Sequence, residues 1–178
     1  LDLDNFKGLN DTLGHIFGDR VLKHVADQLN ELVEQHFFVS RFGGDEFLLL
    51  YEAIPDQADL EVMSDQLLQS INQSFIIDEQ IVRVECSVGI AIYPDHSMEL
   101  NELIMYADMA MYHAKANGKN KWASFDRQMV EEVKHKQYVK EVLKDAIEQE
   151  GFKVVYQPQV DIHSNTIVGY EALLRLKN

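Results

Sequence analysis

A chain of 178 residues, 46% hydrophobic and 26% charged, has the composition of a folded globular protein and the length for one sizeable core, or one domain and a piece of another. Its formal net charge of −14 excludes non-specific binding to nucleic acid and contact with an anionic membrane surface, since both partners are themselves negative. A phosphate-bearing small molecule is still admitted, provided divalent cations stand between it and the carboxylates.

The single cysteine, Cys86, lies in an apolar alternating stretch and reads as a buried strand residue; one thiol makes no internal disulfide, which fits a reducing compartment. No apolar run reaches the length of a membrane span and nothing resembles a signal peptide. A cytoplasmic setting is therefore expected, with any membrane anchor of the whole protein upstream. The opening at Leu1, without Met and inside a strand pattern, is expected to be a cut.

Leu1-Asp2-Leu3-Asp4 alternates apolar and acidic residues, which predicts a strand that buries both leucines and puts both aspartates on its other face. From Gly18 onward Val21, Leu22, Val25, Ala26, Leu29, Leu32 and Val33 recur at helical spacing, an amphipathic helix of about four turns. Residues 37–51 read as two strands joined by a Gly43-Gly44 link, whose positive φ angles suit a tight hairpin. Residues 59–73 are a second helix, with Leu60, Met63, Leu67 and Ile71 on one stripe. Residues 75–93 read as another hairpin with its break at Asp78-Glu79-Gln80. Residues 98–117 are a third helix, with Met105, Met109 and Met111 in its core and Gly118 as its stop, and 122–125 a closing strand. The order predicts an α/β (α+β) fold, a central, mostly antiparallel sheet flanked by helices. Residues 126–150 hold no Gly inside them and no Pro, and form a connecting helix along which a domain boundary falls. Beyond Gly151 alternation returns on both sides of His163-Ser164-Asn165, a hairpin that cannot bury itself alone.

Three groups of residues bear chemistry. Asp2 and Asp4 end the first strand and are followed by Lys7, Asn10, Asp11 and Asp19 in a polar connection; Asp45 and Glu46 follow the glycine turn; Lys115, Lys119 and Lys121 cluster at a helix end. Carboxylates from two strand ends suit a hard divalent cation, which completes its shell with substrate phosphates, and lysines nearby neutralise phosphate charge. Asn10 and Asp19 suit a base edge, since a carboxylate only accepts hydrogen bonds and an amide does both. Taken singly, each has a plainer reading: turn residues for the Asp and Asn, a helix cap for Asp19, complements to the helix dipole for the lysines.

The ordered set Asp2-Leu3-Asp4-Asn5-Phe6-Lys7, Asn10-Asp11, Gly14-His15, Gly18-Asp19, Arg41-Phe42-Gly43-Gly44-Asp45-Glu46-Phe47, Ser87-Val88-Gly89, Tyr93-Pro94, Ala107-Asp108, Ala114-Lys115 and Gly118-Lys119-Asn120 resembles GGDEF domains across nearly all of residues 1–126. The resemblance implies a nucleotide-cyclase-like fold with a ferredoxin-like core, and a diguanylate cyclase that condenses two GTP into cyclic di-GMP and pyrophosphate. It implies Mg2+ or Mn2+ held by Asp2, the Leu3 carbonyl, Asp45 and Glu46, with Asp45 also the general base. It implies guanine contacts from Asn10 and Asp19, phosphate contacts from Asn5, Phe6, Lys7, Lys115 and Lys119, and a homodimer in which two GTP-loaded domains face each other.

Tyr156-Gln157-Pro158 and Tyr170-Glu171-Ala172-Leu173-Leu174-Arg175 are similar to the start of EAL domains, which hydrolyse cyclic di-GMP; Glu171 matches a metal ligand and Gln157 a substrate contact. The implied organisation is residues 1–126 as a GGDEF domain lacking its N-terminal segment, 127–150 as a linker helix and 151–178 as the first hairpin of a truncated EAL domain. One departure is that Glu34-Gln35-His36-Phe37 stands where the family's product-inhibition site carries Arg-x-x-Asp, so that site is expected to be absent. Two alternatives to the cyclase are carried: a silent GTP-binding module that regulates an attached EAL phosphodiesterase, and a purely structural or dimerising domain.

Overall fold

The computed structural model describes residues 1–32, 37–52 and 56–177, and of Phe37 the backbone only. The segment Glu34-Gln35-His36, with Val33, lies outside the described residues, and so does the expectation attached to it. The chain divides into two compact units, Leu1–Met129 and Val130–Asn178.

In the first unit, β1 (Asp2–Asp4) is the middle strand of a five-stranded sheet. After it come α1 (Phe6–Leu13), α2 (His15–Leu32), β2 (Phe37–Gly43) and β3 (Glu46–Tyr51). Next are α3 (Gln57–Ile71), the short strands β4 (Phe75–Ile77) and β5 (Gln80–Val82), and then β6 (Glu85–Ile90), α4 (Leu100–Ala116) and β7 (Trp122–Ser124). The sheet order is β2-β3-β1-β6-β7, antiparallel except for the parallel β6–β7 pair. This is the mostly antiparallel α/β sheet that the pattern predicts.

Most of the α2 stripe packs as expected, with Val21, Leu22, Val25 and Leu29 buried beside Leu3, Ile71, Phe75 and Cys86 in one core, Ala26 partly buried against it and Leu32 exposed. Full burial of each such side chain contributes about 1.5–3 kcal/mol, so this face fixes α2 more firmly than helix propensity does. Burial pushes the Cys86 thiol up to about 12, which suits an inert strand residue.

Four expectations are corrected. The polar connection after β1 is a helix, α1, and α2 starts at His15 rather than Gly18; Phe6 is α1's one buried residue, so no stripe announces it. The β2–β3 loop is Gly44-Asp45 rather than Gly43-Gly44, because Gly43 already pairs with Glu46 and only Gly44 carries the positive φ, 52°. Residues 75–93 are not one hairpin: β4 and β5 close on each other around Asp78 and Glu79, and β6 leaves them to pair with β1. On α4 the buried residues are Ala110 and Ala114, whereas Met105 is 45% exposed. Small residues face the sheet there because a Cβ on Gly89 of β6 would lie 1.9 Å from the Ala107 carbonyl and 2.2 Å from the Met111 nitrogen. The helix rests directly on the strand backbone.

The second unit holds most of α5 (Arg127–Glu148) and the antiparallel hairpin β8 (Phe152–Asp161) and β9 (Thr166–Leu176). Its loop is pinned by Asp161, whose carboxylate accepts from the Ser164 amide and hydroxyl and from the His163 amide; these bonds lower its pKa. No helix among the described residues is long and apolar enough to cross a membrane.

Candidate functional site

Because β1 is central, its residues meet both neighbours. Asp2 stands opposite Glu46 of β3 and Ser87 of β6. Its side chain is 11% exposed, and its Oδ1 lies 2.6 Å from the Lys115 Nζ on the last turn of α4. From the other side the β2–β3 loop closes in: the Leu3 amide donates to the Asp45 carbonyl at 3.3 Å. Arg41 braces that loop, its Nε and Nη2 donating to the Gly44 carbonyl at 2.9 and 2.7 Å. Burial, and then the neighbouring Asp2 charge, hold the Asp45 carboxyl above its ordinary value. The fold thus brings Asp2, Asp45 and Lys115 together and puts Glu46 beside Asp2 in register. Among the described residues no group of three or more His, Cys, Asp or Glu is arranged to hold a metal ion.

The nucleotide-side candidates fall into two places. Asn5 caps α1 with a left-handed backbone (φ 59°), and Lys119 donates to its Oδ1 at 2.7 Å, while Phe6 is buried and Lys7 exposed. Asn10 meets Gly18, the residue before Asp19, across α1 and α2: a Cβ on Gly18 would lie 1.8 Å from the Asn10 Oδ1. That oxygen is buried and has no partner. Asp19 is exposed, well inside α2, and is therefore not the cap of that helix. It lines a cavity of about 510 Å3 with Leu22, Lys23, Arg41 and Phe47 among others.

Residues 1–121 match the family described as diguanylate cyclase, GGDEF domain. The chain belongs to the GGDEF family. The bifunctional diguanylate cyclase/cyclic di-GMP phosphodiesterase MucR of Pseudomonas aeruginosa is 38% identical over 175 residues, which are 98% of this chain and 25% of MucR. The cyclic di-GMP phosphodiesterase PdeR of Escherichia coli is 36% identical over 175 residues, 98% of this chain and 26% of PdeR. The chain therefore spans about a quarter of the length of these relatives. Among solved structures, the GGDEF domain of YfiN (TpbB) from Pseudomonas aeruginosa superposes with a TM-score of 0.71 at 32% identity, over 75% of this chain and 78% of that one.

Within this GGDEF domain the structure adds residues that the sequence reading left without a role. Arg41 stands inside the signature motif, yet only the fold shows it bonded to the loop that carries Asp45. Ser87 and Asn120 both donate to Asp4. Their signal in the sequence was position inside the quoted motifs, which says nothing about partners 83 and 116 residues away. In the second unit Gln157 and Glu171 stand directly opposite each other in the β8–β9 register, both exposed.

Proposed function

We propose that this domain is a diguanylate cyclase joining two GTP molecules into cyclic di-GMP, with pyrophosphate leaving each, in a protein that continues into an EAL phosphodiesterase domain. The observation that carries the reading is the convergence of Asp2, Asp45 and Lys115 from three separate elements. Magnesium or manganese fits the donor set, since hard carboxylate oxygens that repel one another are relieved by a hard cation. Asp2, Asp45, Glu46 and the Leu3 carbonyl would hold the ion, which when bound offsets charge on the α-phosphate.

The chain's own groups supply the rest. Lys7, Lys115 and Lys119, with the backbone at Asn5 and Phe6, hold the phosphates. The Asn10 amide and the Asp19 carboxylate read guanine, the carboxylate accepting from the ring N–H and the exocyclic amine. Asp45 accepts the proton of the attacking ribose 3′-hydroxyl. Each domain holds one GTP, so turnover needs two domains face to face. In the second unit, Gln157 and Glu171 are the substrate contact and a metal ligand of the EAL domain. Sequence outside this chain completes that site, a reading supported by relatives about four times as long.

A second reading is a GTP-binding module that tunes the attached phosphodiesterase. PdeR, named only as a phosphodiesterase, supports it. Incubating the full-length protein with GTP and magnesium decides between them. Cyclic di-GMP sustains the cyclase; bound GTP without product selects the regulatory module; neither binding nor product removes both.

A further inference from the structure

Asp2 and Asp4 leave β1 on the same face, yet they meet different partners. Asp2 turns to Lys115 of α4. Asp4 accepts from the Ser87 hydroxyl on both oxygens, 3.0 Å each, and from the Asn120 amide at 2.9 Å on Oδ2. Ser87 is fully buried, so the carboxylate is tied to the sheet before it reaches the loop. One buried hydroxyl proton shared across both oxygens, with the Asn120 amide on one of them, fixes the direction in which this carboxylate points.

The loop it holds is an unusual one. Gly118, Lys119 and Asn120 follow each other at φ 112°, 59° and 48°, and side chains other than glycine resist that region. Such a run persists only where its surroundings over-determine it. Asp4 grips the Asn120 amide, the Asn72 side-chain amide donates to Asn120 Oδ1 at 2.8 Å, and the Lys119 amide donates to the Ala114 carbonyl at 3.1 Å. With the turn so held, Lys119 reaches back 2.7 Å to Asn5 at the start of α1. Release of Asn120 frees the backbone that aims Lys119.

We infer that Asp4 is a positioning residue, and not a metal ligand: it locks the 118–120 turn and so places the Lys119 ammonium on the phosphate side of the site. The inference rests on the GTP-site reading for what Lys119 touches, but the locking itself does not. If Asp4 holds the turn, removal of its oxygens must loosen the Asn120 amide in nucleotide-free protein, and must weaken ligands in proportion to their phosphates. Asparagine retains one carbonyl oxygen for that amide and loses only the charge, so it must rescue.

The test uses the full chain as wild type, Asp4→Ala, Asp4→Asn and Ser87→Ala. Amide hydrogen exchange at residues 118–121 is measured without nucleotide, and GTP and guanosine affinities are measured with magnesium. Asp4→Ala is expected to speed exchange at Asn120 and to weaken GTP by about tenfold or more, the scale of one charge-assisted hydrogen bond, with guanosine changed less than about twofold. Asp4→Asn is expected within about threefold of wild type in both readouts. If Asp4→Ala does not fold, Ser87→Ala, which frees the carboxylate without removing it, must speed Asn120 exchange. Unchanged exchange in these variants overturns the inference, and so does an Asn variant as damaged as Ala, the signature of a metal-binding charge. Wild type that binds no GTP defeats the nucleotide-site reading alone, and exchange at Asn120 then still decides whether Asp4 holds the turn.

Discussion

The Lys115 ammonium sits 2.6 Å from the nearly buried Asp2 carboxylate, so the acid at the centre of the sheet is neutralised by a cation from a helix 113 positions along the chain. Removing the ammonium leaves that carboxylate largely dehydrated and uncompensated. Lys115→Met is expected to cost about 1–3 kcal/mol in metal-free buffer, less than a fully buried pair because Lys115 is partly exposed. Millimolar magnesium should then restore more of the melting temperature in the variant than it adds to wild type. Thermal denaturation with and without magnesium checks this, and a variant as stable as its parent would discount the pair.

Asp45 couples stability to pH in the opposite sense from an ordinary ion-paired aspartate. Its folded pKa lies above the ordinary aspartate value of 3.8, so the folded chain binds the proton more tightly than the unfolded one. The stability it contributes is therefore present below about pH 3.8 and is lost as pH rises through the raised folded value. Asp45→Asn should accordingly melt somewhat higher than wild type at neutral pH without metal, the direction set by the raised carboxyl. The same variant should lose cyclic di-GMP formation while most of the GTP affinity survives, because the proposed guanine contacts, Asn10 and Asp19, lie elsewhere. Retained turnover would remove Asp45 as base and ligand.

His96 gives a separate acid limb. Burial lowers its pKa from 6.5, and its Nδ1 accepts the Ile92 amide at 2.9 Å, which requires the neutral ring. With the folded value below the unfolded one, stability is complete above about pH 6.5 and declines as pH falls from there through the lowered value. His96→Asn keeps an acceptor in nearly the same place and does not titrate. Melting temperatures of the two proteins should converge as pH falls from 7 towards 5; parallel curves would show that His96 does not set this limb.

Asp19 should decide base choice. Since α2 begins at His15, a capping role no longer predicts that Asp19→Asn is silent. A site built to accept the two adjacent donors of guanine leaves its carboxylate unpaired with adenine, which is costly. Asp19→Asn is expected to reduce the preference for GTP over ATP by at least about tenfold, chiefly by weakening GTP. Affinities at matched magnesium test this, and an unchanged ratio would take Asp19 out of the site.

What the sequence made legible follows the range of the forces involved. The α2 stripe was readable because one buried face repeats within a single element, as Val21, Val25 and Leu29 do. The α1 helix was not, because eight residues with only Phe6 buried carry no repeat, and Gly8 and Asn10 favour other conformations locally. The path of β6 was misread for a different reason: Asp78 and Glu79 adopt positive φ without glycine, so β4 and β5 close on themselves and free β6 for β1. Asp2, Asp45 and Lys115 were nominated from motif order, but the Arg41 brace and the Asp4–Asn120 grip arise from chain reversal in space.

The contact between Gly89 and α4 also works as a gauge of reach. Helix backbone atoms 1.9 and 2.2 Å from where a β-carbon would stand must retreat by about 1.5 Å or more to reach ordinary contact. Lys115 rides on that helix, so its flexible stem would have to take up any such shift to keep the 2.6 Å pair with Asp2. The packing of α4 on β6 thus leaves no room for even one methyl group on the strand. Position 89, which carries no side chain at all, is where that clearance is decided.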